Sequence, residues 1–167
     1  IEKLAKLDVD LSLTTNGATL PLIAGDLYNA GLDRINISLD TLDRKRFESL
    51  TRRDNLKQVL HGIETAKSVG FDPVKINMVV MKGVNDDEVL DFVSYGRENG
   101  LVVRFIEFMP LDADETWEKS KVMPQNEILD LISSKHALEP LSRGSSPAAR
   151  WKFVDGPGEI GIIATVS

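Results

Sequence analysis

The chain has no cysteine among its 167 residues. That excludes disulfides and thiolate-bound metals within this stretch and leaves the redox compartment open. Histidine is nearly absent as well. His61 and His136 fall in helical segments with no carboxylate or second histidine at ligand spacing, so both read as structural or surface residues. No run approaches the roughly 18 apolar residues of a membrane span, and no secretory leader is visible. Positive charge is not in excess either. A net charge of −6 gives no overall attraction to nucleic acid or anionic membrane, although a local basic pocket remains open. Neither is expected as a partner, and the default compartment is the cytoplasm.

What is present is the composition of a globular protein: 42% hydrophobic and 28% charged residues, in a length sufficient for a substantial core. The opening "IEKLAKLDVD" reads as the last turns of an amphipathic helix without a cap, and "GEIGIIATVS" stops in an apolar strand-like run. The expectation is an internal piece of a longer protein.

Strand and helix signals alternate through the first two thirds. Strands are expected at 9–15, 34–39, 74–81 and 101–109. Between them lie helices at 19–31, ending on Gly31, and in "RKRFESLTRR", "LKQVLHGIETAKSVG" and 86–100. The third of these places Leu56, Val59, Leu60, Ile63 and Ala66 on one stripe. Short β-α-β connections imply right-handed crossovers and parallel strands, hence an α/β class. Residues 110–124 are too polar for an element and read as a loop, 125–136 as a short helix and 141–150 as a linker. Two strands around Asp155-Gly156-Pro157-Gly158 form a hairpin appended to the body. The division is a barrel portion over 1–136 and the start of a C-terminal extension over 137–167.

Parallel strands covered on both faces should be continuously apolar. Here one parity is polar in each: Ser12, Thr14 and then Asn16; Asn36, Ser38 and Asp40; Lys75 and Asn77; Arg104. Burying such groups unpaired costs on the order of 1–3 kcal/mol each, and more for the charges. Either the polar parity faces an interior holding a polar ligand or water, or the strands form an open sheet with one wet face. Lys75 and Arg104 on neighbouring strands favour an anionic ligand.

The same residues carry a resemblance. "LTTNG" (13–17), "INISLDTLD" (35–43), "VKINMVVMKGVNDDE" (74–88) and "RFIEFMP" (104–110) resemble, in order and spacing, motifs of the radical S-adenosylmethionine (SAM) enzymes. Within them the likeness is to the molybdenum cofactor biosynthesis A family, the GTP 3′,8-cyclases. It extends over essentially the whole chain. It implies the third to sixth strands of a partial, six-stranded (βα) barrel of the TIM type, followed by the hairpin extension. It also implies an upstream CxxxCxxC loop and a downstream cysteine triplet, each holding a [4Fe–4S] cluster, both outside these residues, so the chain alone is expected to be inactive. SAM would be the cofactor and GTP the substrate. A homodimer, and a cyclic pyranopterin monophosphate synthase acting next in the pathway, are the further partners implied.

Residue by residue, Ser38 and Met109 match SAM contacts, and Thr14 and Lys75 match GTP contacts. Arg104, Asn77 and Asn16 are further pocket residues, and no protein acid, base or nucleophile is implied. Plainer readings stand beside these. Asn16-Gly17 is also a tight-turn dipeptide, Thr14 a cap, Met109 a core filler and Lys75 a surface lysine. Asp40 and Glu107 do not form an acid/base couple visible in the sequence, and "GVNDD" reads as a rim loop and helix cap. Two other functions stay open. One is another radical SAM maturase, whose strand motif would run "SLDG" where this chain has "SLDTLD"; the other is a cluster-free barrel domain that binds a nucleotide or phosphate.

Overall fold

The computed structural model describes residues 1–110, 117–142, 144 and 146–164. The chain divides into two compact units, Ile1–Ile76 and Asn77–Ser167.

The first unit holds α1 (Glu2–Ala5), β1 (Ser12–Thr15), α2 (Leu20–Asn29), β2 (Arg34–Ser38), α3 (Arg44–Thr51) and α4 (Leu56–Val69). β1 and β2 pair in parallel, with Thr14 opposite Asn36. The expected alternation appears only in part in burial: Ile35 and Ile37 are fully buried and Ser38 is exposed, but Asn36, on the polar parity, is buried as well. Each buried isoleucine contributes about 1.5–3 kcal/mol by leaving water. The stripe on α4 is buried at Leu56, Val59, Ile63 and Ala66 but not at Leu60, which is half-buried. The face turns instead through Gly62. A Cβ there would lie 2.3 Å from the Gly17 carbonyl oxygen, so only glycine lets the helix backbone close on the loop after β1. Gly17 itself sits at φ +76.

Strand β3 (Lys75–Val80) runs from the first unit into the second, which adds α5 (Val89–Asn99), β4 (Val102–Glu107), α6 (Gln125–Ser133), β5 (Leu138–Leu141), β6 (Ala149–Phe153) and β7 (Glu159–Ile163). Its sheet order is β3-β4-β7-β6-β5, and the described pairings do not close into a ring. The hairpin is present as β6 and β7, antiparallel around the Asp155–Gly158 turn. It is not merely appended, because β7 pairs in parallel with β4 and brings Gly161 opposite Arg104. β5, within a stretch expected to lack strand, pairs antiparallel with β6 and stands at the end of the sheet order. The end position explains how a strand can contain Pro140, whose missing N–H costs nothing on an unpaired side. The helix expected from residue 86 begins with a 3₁₀ turn at Asp86–Glu88, and α5 follows it. Of the expected loop 110–124, residues 111–116 lie outside the described residues, and Lys119–Lys121 form a 3₁₀ turn. In the expected linker, positions 143 and 145 are likewise outside.

Two buried polar residues hold the second unit together. Glu107 ends β4 on the buried parity, fully shielded, and its carboxylate accepts from the Gln125 N–H at 2.7 Å. It caps α6 in place of Pro124, the helix's own flanking residue, which has no side-chain acceptor. The carboxylate of "FIEFMP" is thus a structural cap. Asn85, also fully buried, accepts from Met81 N–H at 2.7 Å and donates to Val79 C=O at 2.8 Å, fixing the "GVNDD" turn.

Candidate functional site

In the first unit the polar parity forms a small hydrogen-bonded surface. The Asn36 amide donates to Ser12 Oγ at 2.9 Å and more weakly, at 3.4 Å, to Leu13 C=O and Thr14 Oγ1. Strand pairing puts these groups on one face, since Thr14 lies opposite Asn36 and Ser12 two residues before it on the same parity. Thr14 and Ser38 are exposed on that face, and Lys75 is half-buried on the matching parity of its own strand. Asn16 begins the turn before α2, where its Oδ1 accepts from Ala18 N–H at 3.1 Å.

A cavity of about 270 Å³ opens beside the carboxyl ends of β1 and β2, lined by Asn16, Ser38, Asp40, Thr51, Arg53 and Asn55 over Phe47 and Val59. Ligand sites of α/β folds gather at this end of the strands. Thr14 and Lys75 are not in its lining, so the structure unites Ser38 with Asn16 but not with the two residues matched to GTP. Sequence reasoning missed Arg53, Thr51 and Asn55. "TRRDN" looked like the charged tail of a helix, and nothing in it marked the residue at which α3 stops.

In the second unit Arg104 Nε donates to Asn77 Oδ1 at 2.8 Å, joining two expected pocket residues. The Arg104 stem lies against Gly161, where a Cβ would come within 3.2 Å of its Cγ. Arg150, opposite Gly161 on β6, shares that row and makes a double hydrogen bond to Glu159 at 3.1 and 2.6 Å. The Glu159 carboxylate raises the Arg150 pKa above its ordinary value. Met109 is half-buried just past β4, where Trp117 Nε1 donates to Phe108 C=O at 3.1 Å. Arg150 and Gly161 were also missed; a strand's row in a sheet cannot be read without its pairing.

No group of three or more histidine, cysteine, aspartate or glutamate side chains able to hold a metal ion occurs among the described residues. Nor is any helix among them long and apolar enough to cross a membrane.

The family model described as Radical SAM superfamily matches residues 1–96, and that of Molybdenum Cofactor Synthesis C matches residues 101–167. A GTP 3′,8-cyclase of Streptomyces coelicolor is 43% identical over 172 residues, covering 100% of this chain and 50% of that protein. The GTP 3′,8-cyclase of Geobacter sulfurreducens is 46% identical over 159 residues, 94% of this chain and 48% of its own. The chain thus spans about half the length of the curated relatives it matches. Among solved structures, TYW1 with a lysine-pyruvate adduct bound aligns at a TM-score of 0.60 with 16% identity, covering 85% of this chain and 46% of that one. That likeness concerns the fold alone.

Proposed function

The chain belongs to the radical SAM superfamily, and from that membership we propose that it is part of a GTP 3′,8-cyclase of molybdenum cofactor biosynthesis. The observation that carries this reading is 43–46% identity along nearly all of the chain to proteins of that name, with no long stretch left unmatched. The ligands are SAM and GTP, the compartment is the cytoplasm, and the working form is a homodimer whose product passes to a cyclic pyranopterin monophosphate synthase. Residues 1–136 are the barrel portion and 137–167 the start of a C-terminal extension.

The residues fit SAM: two hydroxyls, two amides, a carboxylate and a guanidinium line one cavity at the carboxyl ends of the strands. They do not fit an iron–sulfur cluster of the cysteine-ligated kind, because the chain contains no cysteine. Cluster ligands therefore belong to other parts of the parent, and no step here runs through them. When bound, SAM supplies one-electron hydrogen-atom chemistry. The chain's own residues bind and orient. Ser38 and Met109 contact SAM, while Thr14 and Lys75 contact GTP, the lysine ammonium offsetting polyphosphate charge. Asn16 in the first unit, and Arg104 and Asn77, bonded to each other in the second, are further ligand contacts. Holding both ligands in one orientation and keeping water out is the protein's contribution to rate.

The test uses the anaerobically purified parent with reductant, SAM and GTP. A cyclised guanosine triphosphate formed in proportion to SAM cleaved is the expected result. SAM cleavage that leaves GTP intact while modifying a peptide would replace this reading with that of a maturase.

A further inference from the structure

Four of the five residues of β7 suit a half-buried strand, and the third, Gly161, does not. Glycine weakens a strand interior, because it packs nothing and loses the most freedom on ordering. The backbone does not call for it here. Gly161 is not among the residues at positive φ, so a residue with a side chain can adopt its conformation. What is lacking is space. Gly161 is buried, and a Cβ on it would stand 3.1 Å from the Ala148 Cβ and 3.2 Å from the Arg104 Cγ.

The register explains the second contact. Arg104 on β4 and Arg150 on β6 both lie opposite Gly161, so the three share one row and one face. Only Arg104 leans over the glycine. Arg150 is turned to Glu159, and no atom of it comes nearer to that Cβ than the 3.7 Å of the Ala149 carbonyl oxygen. On its other side Arg104 is tied to β3, where its Nε donates to Asn77 Oδ1 at 2.8 Å. The stem therefore runs between an amide that fixes its head and a backbone that leaves room for its foot.

We propose that Gly161 is a positioning residue: its missing side chain seats the Arg104 stem so that the guanidinium meets its ligand in the direction that Asn77 sets. The inference rests on the reading of Arg104 as a ligand contact, which by itself assigns nothing to β7. A Cβ at position 161 would displace the stem by a few tenths of an ångström. The shift grows along the side chain, since the guanidinium lies furthest from the pivot at Cα. A planar fork of donors binds only in a narrow range of directions, so a small tilt weakens it while the strand stays paired.

Equilibrium titrations of the full-length holoenzyme with GTP and with S-adenosylhomocysteine test this. Arg104→Ala first identifies what the guanidinium holds, by a loss of about tenfold or more. Gly161→Ala should weaken whatever Arg104→Ala weakens, by about threefold or more, and nothing else. Added to Arg104→Ala, it should cause no further loss, because the group it displaces is gone. Ala148→Gly separates position from crowding. Combined with Gly161→Ala it opens the other contact, and affinity should stay low. The same pair of substitutions stands in if Gly161→Ala alone does not fold. Equal losses with and without the arginine, a loss in a ligand that Arg104→Ala spares, or affinity restored by Ala148→Gly would each make Gly161 a packing residue and overturn the proposal. If Arg104→Ala loses affinity and Gly161→Ala does not, this inference alone fails. If Arg104→Ala weakens neither ligand, the reading of Arg104 fails and takes the inference with it.

Discussion

The two units treat their polar strand faces differently. In the first, past Arg34, which pairs with Asp10 at the start of β2, the polar parity carries small neutral groups, Ser12, Thr14, Ser38 and the buried Asn36, and the cation of the cavity stands on a loop. In the second, cations project from the strands themselves and are engaged by neighbours, Arg104 with Asn77 and Arg150 with Glu159. Polar parity in a sequence therefore covers two physical situations. A hydroxyl stripe is a surface a ligand can join at the cost of displacing water. A guanidinium already bonded to a side chain must exchange partners, so part of its binding energy is spent within the fold.

If polar groups of the second unit are first of all structural, its buried carboxylate should matter most. Glu107→Ala removes the cap of α6 and leaves a void, which should cost the parent about 2–4 kcal/mol by chemical denaturation. A loss below about 1 kcal/mol would mean that the helix is held by packing alone. Lys75 is the sharpest challenge, since it is a strand cation of the first unit. Lys75→Ala should weaken GTP by roughly 10- to 150-fold, about 1.5–3 kcal/mol, with SAM binding nearly intact. Equal losses for both ligands would make it a support of the fold.

Ser38 probes the hydroxyl stripe. Ser38→Ala should lower SAM affinity by about 0.5–1.5 kcal/mol with little change in stability, and Ser38→Val should bind still less well. A raised melting temperature with unchanged SAM binding in Ser38→Val would show the residue packing against protein. The smallest effect is electrostatic. The hydrogen bond from Arg97, before any other cause, holds the Asp155 carboxyl below the usual range. Its folded pKa is thus the lower of the two. The stabilisation is present above the ordinary value near 3.9 and is lost as pH falls through the folded one. Acid titrations of stability should be slightly less steep below about pH 4 in Asp155→Asn than in wild type. Identical slopes would show that the ion pair contributes nothing.

Much of this was legible in advance because burial has a period. The apolar parity of "RINIS" and most of the stripe on α4 are buried as the residues imply, since each apolar side chain must leave water on a fixed face, whereas the burial of Asn36 on the polar parity was not legible. Partners were not legible. Nothing in "RFIEF" says that Glu107 will meet the first N–H of a helix 18 residues later, although a carboxylate on the buried parity was a signal to look for one. Pro140 argued against a strand and was overridden by the tolerance of a sheet's end. Arg53 resembled any helix-terminal cation, and only the left-handed turn at Arg52 distinguishes it.

The contact between Gly62 and Gly17 bears on how such a protein can change over time. With 2.3 Å between a would-be Cβ and the facing carbonyl, position 62 has no neighbouring residue type to drift through, and the loop bearing Asn16 cannot shift without α4. Diversification of the cavity is therefore channelled to its other rim, where Thr51 and Asn55 border the opening. One wall is frozen by backbone touching backbone, and novelty in ligand choice has to enter through the opposite one.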